Sequence, residues 1–435
     1  MMKTISEERR DIPVAGEADL LVIGGGLAGV AAAVAASRNG ASVTLLEKSC
    51  VLGGLATLGH VCVYLPIDDG IGHKIHGGLA EDLMHVCTRY SYNNIPDCWK
   101  KGPARVEQPS ARYSATFNIP ACVLALDEFM RDEHVNVVFD TVFCEPVMDG
   151  DTCRGVIVEN KSGRTAYLAK MIIDSTGDSD VLYRAGAECE TQKSIVSHWT
   201  YEFDTEHIKR SGSSNDVLKN IKMRWFGLRP DVDNSGSELP MFYGTTSEGV
   251  NDYLRLSRSL ALDYLKKNQR DGYAMLTLPF MPQFRMTRRL KGLAEMGLNA
   301  GVSLDSSIGC VIHSLEAPAA VYEFPYEALI DSRITNIAAA GRMVSAGGRG
   351  WEIMRCIPNC VLTGQASGTA AALAIRTGRT LQEVDVAALQ KNLAETGVMI
   401  HMYDELRNNG NLPPVRRKSI DSVPAINTDS LSYNH

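Results

Sequence analysis

The sequence predicts an α/β protein: a mainly parallel sheet carrying a β-meander, interrupted by an inserted α+β domain. Three observations carry that expectation. Two short apolar runs, 18–24 and 41–47, flank an alanine-rich stretch, and this strand–helix–strand order makes a right-handed crossover with parallel strands. Three β-patterned segments follow the strand at 135–139, parted by Asp149-Gly150-Asp151 and Lys161-Ser162-Gly163, both good turn sequences. A small-residue strand and helix return at 336–376, after a less regular stretch from 190 to 325.

The elements follow in order. Ala18–Gly24 reads as a buried strand ending in glycine, and Leu27–Arg38 as a helix closed by Gly40. Ala41–Glu47 is the second buried strand. Leu124–Arg131 looks helical and Val135–Phe139 strand-like, and Lys170–Asp174 reads as a further short strand after the meander, ending at Ser175-Thr176-Gly177-Asp178. Polar breaks at Ser211–Asn215 and Asp231–Ser237 mark the inserted domain. Asn336–Ala340 then reads as a strand, and Val361–Arg376 as a helix crowded with Gly, Ala and Ser. Asn411–His435, with its Pro-Pro and Arg-Arg-Lys, is expected to be a loosely held tail.

Composition narrows the function classes. The 435 residues are 45% hydrophobic and 22% charged, which excludes a disordered or collagen-like chain. With 44 basic and 51 acidic residues the net charge is −7, so no global positive field draws the protein to nucleic acid or anionic membrane. The first residues lack the apolar run of a signal peptide, and no apolar stretch is long enough to span a bilayer. Eleven cysteines, an odd number, suit reduced thiols better than a disulfide framework. The expectation is a soluble cytoplasmic protein.

Gly24-Gly25-Gly26-Leu27-Ala28-Gly29 fits G-x-G-x-x-G. Glycines there give a tight turn, room for backbone to approach a pyrophosphate, and close packing of helix on strand. The phosphates then meet the free N–H groups and positive end of the helix. Alone the motif is weak, because glycines also mark ordinary turns. Here it lies between a strand and a helix, and Glu47 ends the second strand 18 residues after Gly29. A carboxylate at that place accepts hydrogen bonds from ribose hydroxyls and repels a 2′-phosphate. The pattern points to a Rossmann-like dinucleotide site.

Glu47-Lys48-Ser-Cys-Val-Leu-Gly53-Gly54-Leu55-Ala56 resembles the two-dinucleotide-binding-domain flavoproteins, from glutathione reductase to fumarate reductase, and so implies FAD. The redox cysteine pair of the disulfide reductases would fall at Ala56 and Val61; Cys50 and Cys62 are out of register, and no second strand-associated G-x-G-x-x-G is present. His60 lies near the loop but not at the succinate dehydrogenase spacing, so the flavin is expected to be non-covalent. Gly155-Val-Ile-Val-Glu, Phe284-Arg285-Met-Thr-Arg288-Arg289, Tyr322-Glu-Phe-Pro-Tyr326, Ala340-Gly341-Arg342 and Arg355-Cys-Ile-Pro358 with Gly364-Gln-Ala-Ser-Gly368 are similar, in that order, to the FAD-dependent oxidoreductases. The likeness spans about residues 18–375.

That resemblance implies an FAD-binding domain at 15–189 and 326–385, a substrate or cap domain at 190–325, and a C-terminal helix and tail at 386–435. It places Gly24, Gly26, Ala28, Gly29, Glu47, Lys48, Gly53, Gly54, Leu55 and Ala56 around the dinucleotide. Val142 falls where a strand meets adenine, and Thr176-Gly177 passes the adenosine half. Gly341-Arg342 stands where many flavoproteins carry Gly-Asp or Gly-Glu; an arginine there favours the pyrophosphate, with Asp178 as a nearby carboxylate. Pro358 leads into the last helix, and Gly364–Thr369 is expected to open that helix with its positive end toward the flavin pyrimidine.

The chemistry needs a group to hold substrate and an acid or base near the flavin. Arg285, Arg288 and Arg289 could grip a carboxylate, or form a solvated basic strip. Glu352 and Arg355, in the glycine-rich run 347–355, suit a pocket wall. His313 could act as a base, although a lone histidine is more often structural. His73-Lys-Ile-His76 and Cys356-x-x-x-Cys360 lack the partners of a metal site, and iron–sulfur spacing is absent. The expected function is hydride transfer between FAD and a small organic substrate, with a separate electron acceptor or donor. A tRNA-modifying flavoprotein, or a protein with FAD as a structural ligand only, are the alternatives; the acidic charge counts against the first.

Overall fold

The computed structural model describes residues 5–6, 8–92, 94–210, 212, 217–229, 237–312 and 318–406. The chain opens with β1 (Val14–Ile23), α1 (Leu27–Arg38) and β2 (Val43–Leu46). Two-residue strands β3 (Val63–Tyr64) and β4 (Ala115–Thr116) pair with each other and bracket α2 (Leu79–Thr88). α3 (Ile119–Asp132), capped by the Asn118 side chain, leads to β5 (Asn136–Val138). The meander is β6 (Val142–Asp149), β7 (Thr152–Asn160) and β8 (Gly163–Asp174), followed by α4 (Asp180–Arg184). Next come β9 (Cys189–Thr191), β10 (Lys193–Ile195), β11 (Ser197–Asp204), α5 (Thr205–Arg210), α6 (Val217–Asn220), β12 (Ile221–Gly227), β13 (Met241–Tyr243), α7 (Ser247–Asn268), β14 (Tyr273–Met275) and β15 (Arg288–Leu290). The chain closes with β16 (Ser307–Ile312), β17 (Val321–Pro325), β18 (Ile337–Ala339), α8 (Arg349–Met354), α9 (Ile357–Thr377) and α10 (Val386–Glu395). The tail expected at Asn411–His435 lies outside the described residues.

The central sheet runs β5-β2-β1-β8-β7-β6, with β18 also on β8. β5, β2, β1, β8 and β18 pair in parallel, and the meander pairs antiparallel. Lys170–Asp174 is not a separate strand. It is the end of β8, whose one edge pairs with β1 while the other is shared, β7 taking the first half and β18 the last three residues. The Asn336 side chain joins the two halves: its Nδ2 donates to the carbonyls of Cys153 (2.7 Å) and Lys170 (2.8 Å), and its Oδ1 accepts from the Cys153 amide at 2.8 Å. A fully hydrogen-bonded amide lets one strand serve two partners without leaving a buried polar group unpaired.

Residues of the insertion build small sheets, β12-β11-β14, β10-β13 and β15-β9, with a separate core of Val196, Tyr253 and Phe284. The β16–β17 pair behaves differently. Ile308, Val311 and Phe324 lie in the main core, so the last part of the stretch expected to belong to the cap packs with the dinucleotide-binding half.

Two helices set the geometry of the sheet's carboxyl edge. α1 buries ten of its twelve residues, Leu27 through Ala36, and packs on α9. Gly364 and Gly368 of α9 press on the carbonyls of Ala28 and Ala32: a Cβ at either would lie 2.1 Å from the oxygen. The four-residue step on both sides makes the helices parallel, so both N-termini face the same edge. α9 begins at Ile357, a turn and more before the start expected at 361–364. Its N-terminus therefore projects about 9 Å farther than that of α1. Gly364 sits in the middle of the helix, where tight packing, not a helix end, requires glycine. Gly364→Ala should lower stability by about 1–3 kcal/mol through overpacking, read as a reduced urea midpoint at an unchanged slope.

Candidate active site

The first helix end lies in the turn after β1. Gly24 takes φ +106, and a Cβ there would lie 2.6 Å from the Ser175 carbonyl oxygen. At Gly29 a Cβ would come within 2.0 Å of the Gly24 oxygen, so helix and strand touch backbone to backbone. Gly26, the N-cap of α1, is open: a Cβ would meet nothing within 4 Å, and no side chain caps the helix. Across that opening runs Gly53-Gly54. The Gly53 amide donates to the Gly25 carbonyl at 2.8 Å, and a 3₁₀ turn, Gly54–Ala56, carries Leu55 and the buried Ala56 past it. Glu47 is buried behind the turn. Its Oε2 accepts from the Gly25 amide at 2.6 Å and its Oε1 from the Ser49 amide at 2.7 Å, while Lys48 beside it is exposed. The Thr141 amide donates to the Glu47 carbonyl at 3.0 Å, which brings half-exposed Val142 to the same edge.

The second helix end is that of α9. Its N-cap, Cys356, makes no capping side-chain bond, and Pro358 sits in the first turn, where it lacks only an amide hydrogen the helix does not use. Arg355 immediately precedes it, half-buried, with its Nε unpartnered among the described residues. Glu352 is half-buried on α8. His313 lies outside the described residues.

The Arg342 guanidinium is taken up by protein groups. Gly341, with φ +93, turns the chain so that Arg342 Nε donates to the Gly177 carbonyl (2.8 Å), one terminal nitrogen to the Phe284 carbonyl (2.5 Å) and the other to Asp178 Oδ1 (2.7 Å). The Trp351 indole donates to the Arg342 carbonyl at 2.6 Å. One guanidinium thus ties the end of β8, through Gly177-Asp178, to the insertion, and the backbone carbonyl of the same residue holds α8. Arg288 and Arg289 are buried in ion pairs and do not form a solvated strip. Arg288 pairs with Asp180 at 2.7 Å and stacks on Tyr183, while Arg289 pairs with Glu190 (2.5 Å) and Glu295 (2.8 Å).

The insertion docks on the loop that follows Gly53-Gly54. The amides of Phe280 (2.9 Å) and Met281 (3.1 Å) donate to the Leu58 carbonyl, Gln283 Nε2 to the Gly59 carbonyl (2.6 Å), and Trp199 Nε1 to the His60 carbonyl (2.9 Å). His60 is held at φ +58 with a buried imidazole, and that burial lowers its affinity for a proton. Arg285 lies on this wall. Its guanidinium stands 5.8 Å from the ring centres of both Trp199 and Trp225 and donates to the Ser197 carbonyl at 3.0 Å.

The sequence matches the family described as FAD dependent oxidoreductase over residues 19–296 and 306–393. The chain belongs to that family. No curated protein sequence matches it. Among solved structures, the p-nitrophenol 4-monooxygenase of Pseudomonas putida is similar at 13% identity, covering 87% of this chain and 84% of its own, with a TM-score of 0.46. A geranylgeranyl bacteriochlorophyll reductase-like protein of Thermoplasma acidophilum is 11% identical, covering 87% and 83%, with a TM-score of 0.44. A flavocytochrome c3 fumarate reductase is 14% identical, covering 82% and 78%, with a TM-score of 0.37.

FAD is the cofactor of this family, and the residues present fit it. The uncapped amides at Gly26 and the glycine pair across from them leave room that any Cβ at Gly54 would narrow, to 3.2 Å from Gly26 Cα. The second uncapped helix end, farther out, suits the far half of an extended dinucleotide. No helix among the described residues is long and apolar enough to cross a membrane.

Sequence reasoning missed the wall of the oxidoreductase's insertion: Trp199, Trp225, His198 and Gln283. The period-two run Ser197-His-Trp-Thr-Tyr-Glu-Phe203 was the available signal for a strand with two chemically different faces. His198 and the fully buried His76 are both pushed down to about 4 by burial, His198 also by the Arg285 charge. Both are neutral when folded, whereas the unfolded chain binds protons at the ordinary value of 6.5. The stability this contributes is fully present above pH 6.5 and is lost as pH falls through about 4. Urea midpoints should therefore fall between about pH 6.5 and 4.5, and His198→Phe should make that fall shallower.

Proposed function

We propose that the protein passes a hydride between non-covalently bound FAD and a small organic anion, with a separate electron acceptor or donor closing the cycle. The two parallel helix ends support the cofactor half of this reading. Glu47 would take the ribose hydroxyls, with Lys48 and Val142 beside it. The amides following Gly26, with Gly24, Ala28 and Gly29 shaping the turn, would take the diphosphate, and Gly53, Gly54, Leu55 and Ala56 would cover it. Thr176, Gly177, Asp178 and Gly341 would wall the middle, with Arg342 locking that wall rather than touching phosphate. Pro358 and the first amides of α9, reinforced by Arg355, would face the ring, where a positive helix end holds negative charge. FAD bound there supplies two-electron hydride chemistry that no side chain offers.

Arg285 carries the substrate half. It is a half-buried cation flanked by two indoles, on the wall that touches the cofactor loop at Leu58, Gly59 and His60. A guanidinium in such a setting keeps its charge, stacks on flat surfaces and binds a carboxylate through paired N–H groups. Trp199 and Trp225 would exclude water and pack an apolar body, and Glu352 would line the opposite side.

Anaerobic mixing with a panel of small hydroxy and amino acids should bleach the flavin band for at least one of them, and the matching amides should be poorer. Arg285→Met should raise the half-saturating concentration of that acid about 10–100-fold, the value of a charged hydrogen bond. Equal saturation by acid and amide in both proteins would remove the anion from the proposal. Glu47→Gln should weaken FAD binding about tenfold or more, followed as flavin fluorescence released on dilution.

A further inference from the structure

β11 presents two unlike faces. Trp199 and Tyr201 look toward the cofactor loop, with the Tyr201 hydroxyl 2.9 Å from Cys62 Sγ. His198, Thr200 and Glu202 lie on the other face, beneath α7, at relative exposures of 3%, 0% and 0%. A strand face covered by a helix is ordinarily apolar. Here each of the three side chains keeps a buried polar atom without a protein partner among the described residues: both ring nitrogens of His198, Thr200 Oγ1, and Glu202 Oε2. Unsatisfied buried groups each cost about 1–3 kcal/mol, so three in a row call for an occupant.

Alternate residues of a strand stand about 6.6 Å apart along the backbone, and no direct hydrogen bond reaches these atoms among the described residues. A water that donates and accepts at about 2.8 Å is the occupant that satisfies a donor on one side chain and an acceptor on the next. Both ends of the row lead elsewhere. At one end, His198 shares a small recess, with room for about one water, with Gln283, Ser257 and Tyr253, and exposed Arg258 stands at its rim. Gln283 Oε1 is likewise unpartnered, and its Nε2 holds the Gly59 carbonyl of the cofactor loop. At the other end, Glu202 Oε1 accepts from Arg224 Nε at 2.7 Å and from the Tyr273 hydroxyl at 2.8 Å. Half-buried Tyr264 stacks beneath the Arg224 guanidinium there.

We propose that His198, Thr200 and Glu202 form a water-bridged row that carries a proton between the cofactor side of the insertion, at Gln283, and the carboxylate of Glu202. The row rests on the hydride-transfer reading for its purpose. When a substrate C–H leaves as hydride, two electrons and that hydrogen pass to the cofactor. The proton on the adjoining oxygen or nitrogen must go to a base. The neutral imidazole of His198 accepts it through the recess, and its other ring nitrogen releases a proton toward Thr200, whose hydroxyl passes one on to Glu202 Oε2; the carboxylate becomes the neutral acid and holds that proton until the reverse transfer, while Arg224 and Tyr273 keep donating to Oε1. Charged and titratable groups around the row are Arg285 and Arg258 at the recess, Tyr253 and Tyr264 on α7, Arg224 and Lys222 on β12, and Tyr273 on β14. Burial and the Arg285 charge favour a neutral imidazole, and Arg224 and Tyr273 donate to Glu202 Oε1.

The test uses the FAD-loaded full chain and three variants: Thr200→Val, which keeps shape and loses the hydroxyl, Thr200→Ser, which restores it, and Glu202→Gln. Without any substrate, the exchange of the His198 ring N–H with water is followed by NMR of ¹⁵N-histidine-labelled protein. Thr200→Val and Glu202→Gln should slow it at least tenfold and Thr200→Ser should not; equal exchange in all four proteins overturns the row. With a substrate that bleaches the flavin, proton release read by a pH indicator should lag bleaching in Thr200→Val and coincide with it in Thr200→Ser. Coincidence in Thr200→Val overturns the row while leaving hydride transfer intact. Failure of every substrate to bleach overturns hydride transfer instead, and the exchange measurement still decides the row.

Discussion

The architecture depends on the close parallel packing of α1 against α9. Gly364 and Gly368 allow α9 to lie on the backbone of Ala28 and Ala32, and that contact fixes two things at once. It sets both helix ends toward the carboxyl edge of the sheet, and it sets their depths about 9 Å apart. A long cofactor with phosphates in its middle and a ring at its end needs positive ends at two depths. Helix-to-helix contact through carbonyls leaves no side chain to adjust, so that relation is held closely.

The insertion adds what the sheet cannot supply. Arg342 joins three separate segments: its guanidinium holds the end of β8 and the Phe284 carbonyl, and its own backbone carbonyl accepts from the indole of Trp351. Four hydrogen bonds then fasten the insertion to the loop at Leu58–His60. The position of Arg285 follows from these two attachments, since the carbonyl of its neighbour Phe284 accepts from Arg342 and the carbonyl of Gln283 receives one of its own N–H groups at 3.2 Å. The insertion is thus registered on the Leu58–His60 loop by polar bonds of fixed geometry, while its small apolar core at Val196, Tyr253 and Phe284 holds it together internally.

Burial of polar groups is used unevenly. Asn336 is buried with all its bonds made, and it does structural work at the strand junction. Asp174 is buried with its carboxylate accepting from the amides of Val181 and Leu182 and from Thr176, yet burial still raises it to about 6. The polar face of β11 is buried with bonds left open. Buried polar groups are numerous elsewhere, and β11 stands apart in placing three incomplete ones in succession on one strand face.

Composition and order along the chain determined the fold class, the glycine turn at Gly24–Gly29, Glu47 at the end of β2, and the boundaries of α1. Each is a local pattern, readable because neighbouring residues decide it. The same reasoning divided β8 in two, since apolar runs broken by a lysine look like separate strands. Only the pairing partners β7, β1 and β18 show it to be one. The start of α9 was misplaced for a related reason: Cys356-Ile-Pro358 reads as a break, but proline in a first helical turn interrupts nothing. Tertiary structure alone decided the fates of the arginines. Arg285, Arg288, Arg289 and Arg342 are chemically alike in sequence, and an arginine's role depends on which acids, carbonyls and rings meet it across more than 50 residues of chain. Long-range contacts of that kind leave no trace in local spacing.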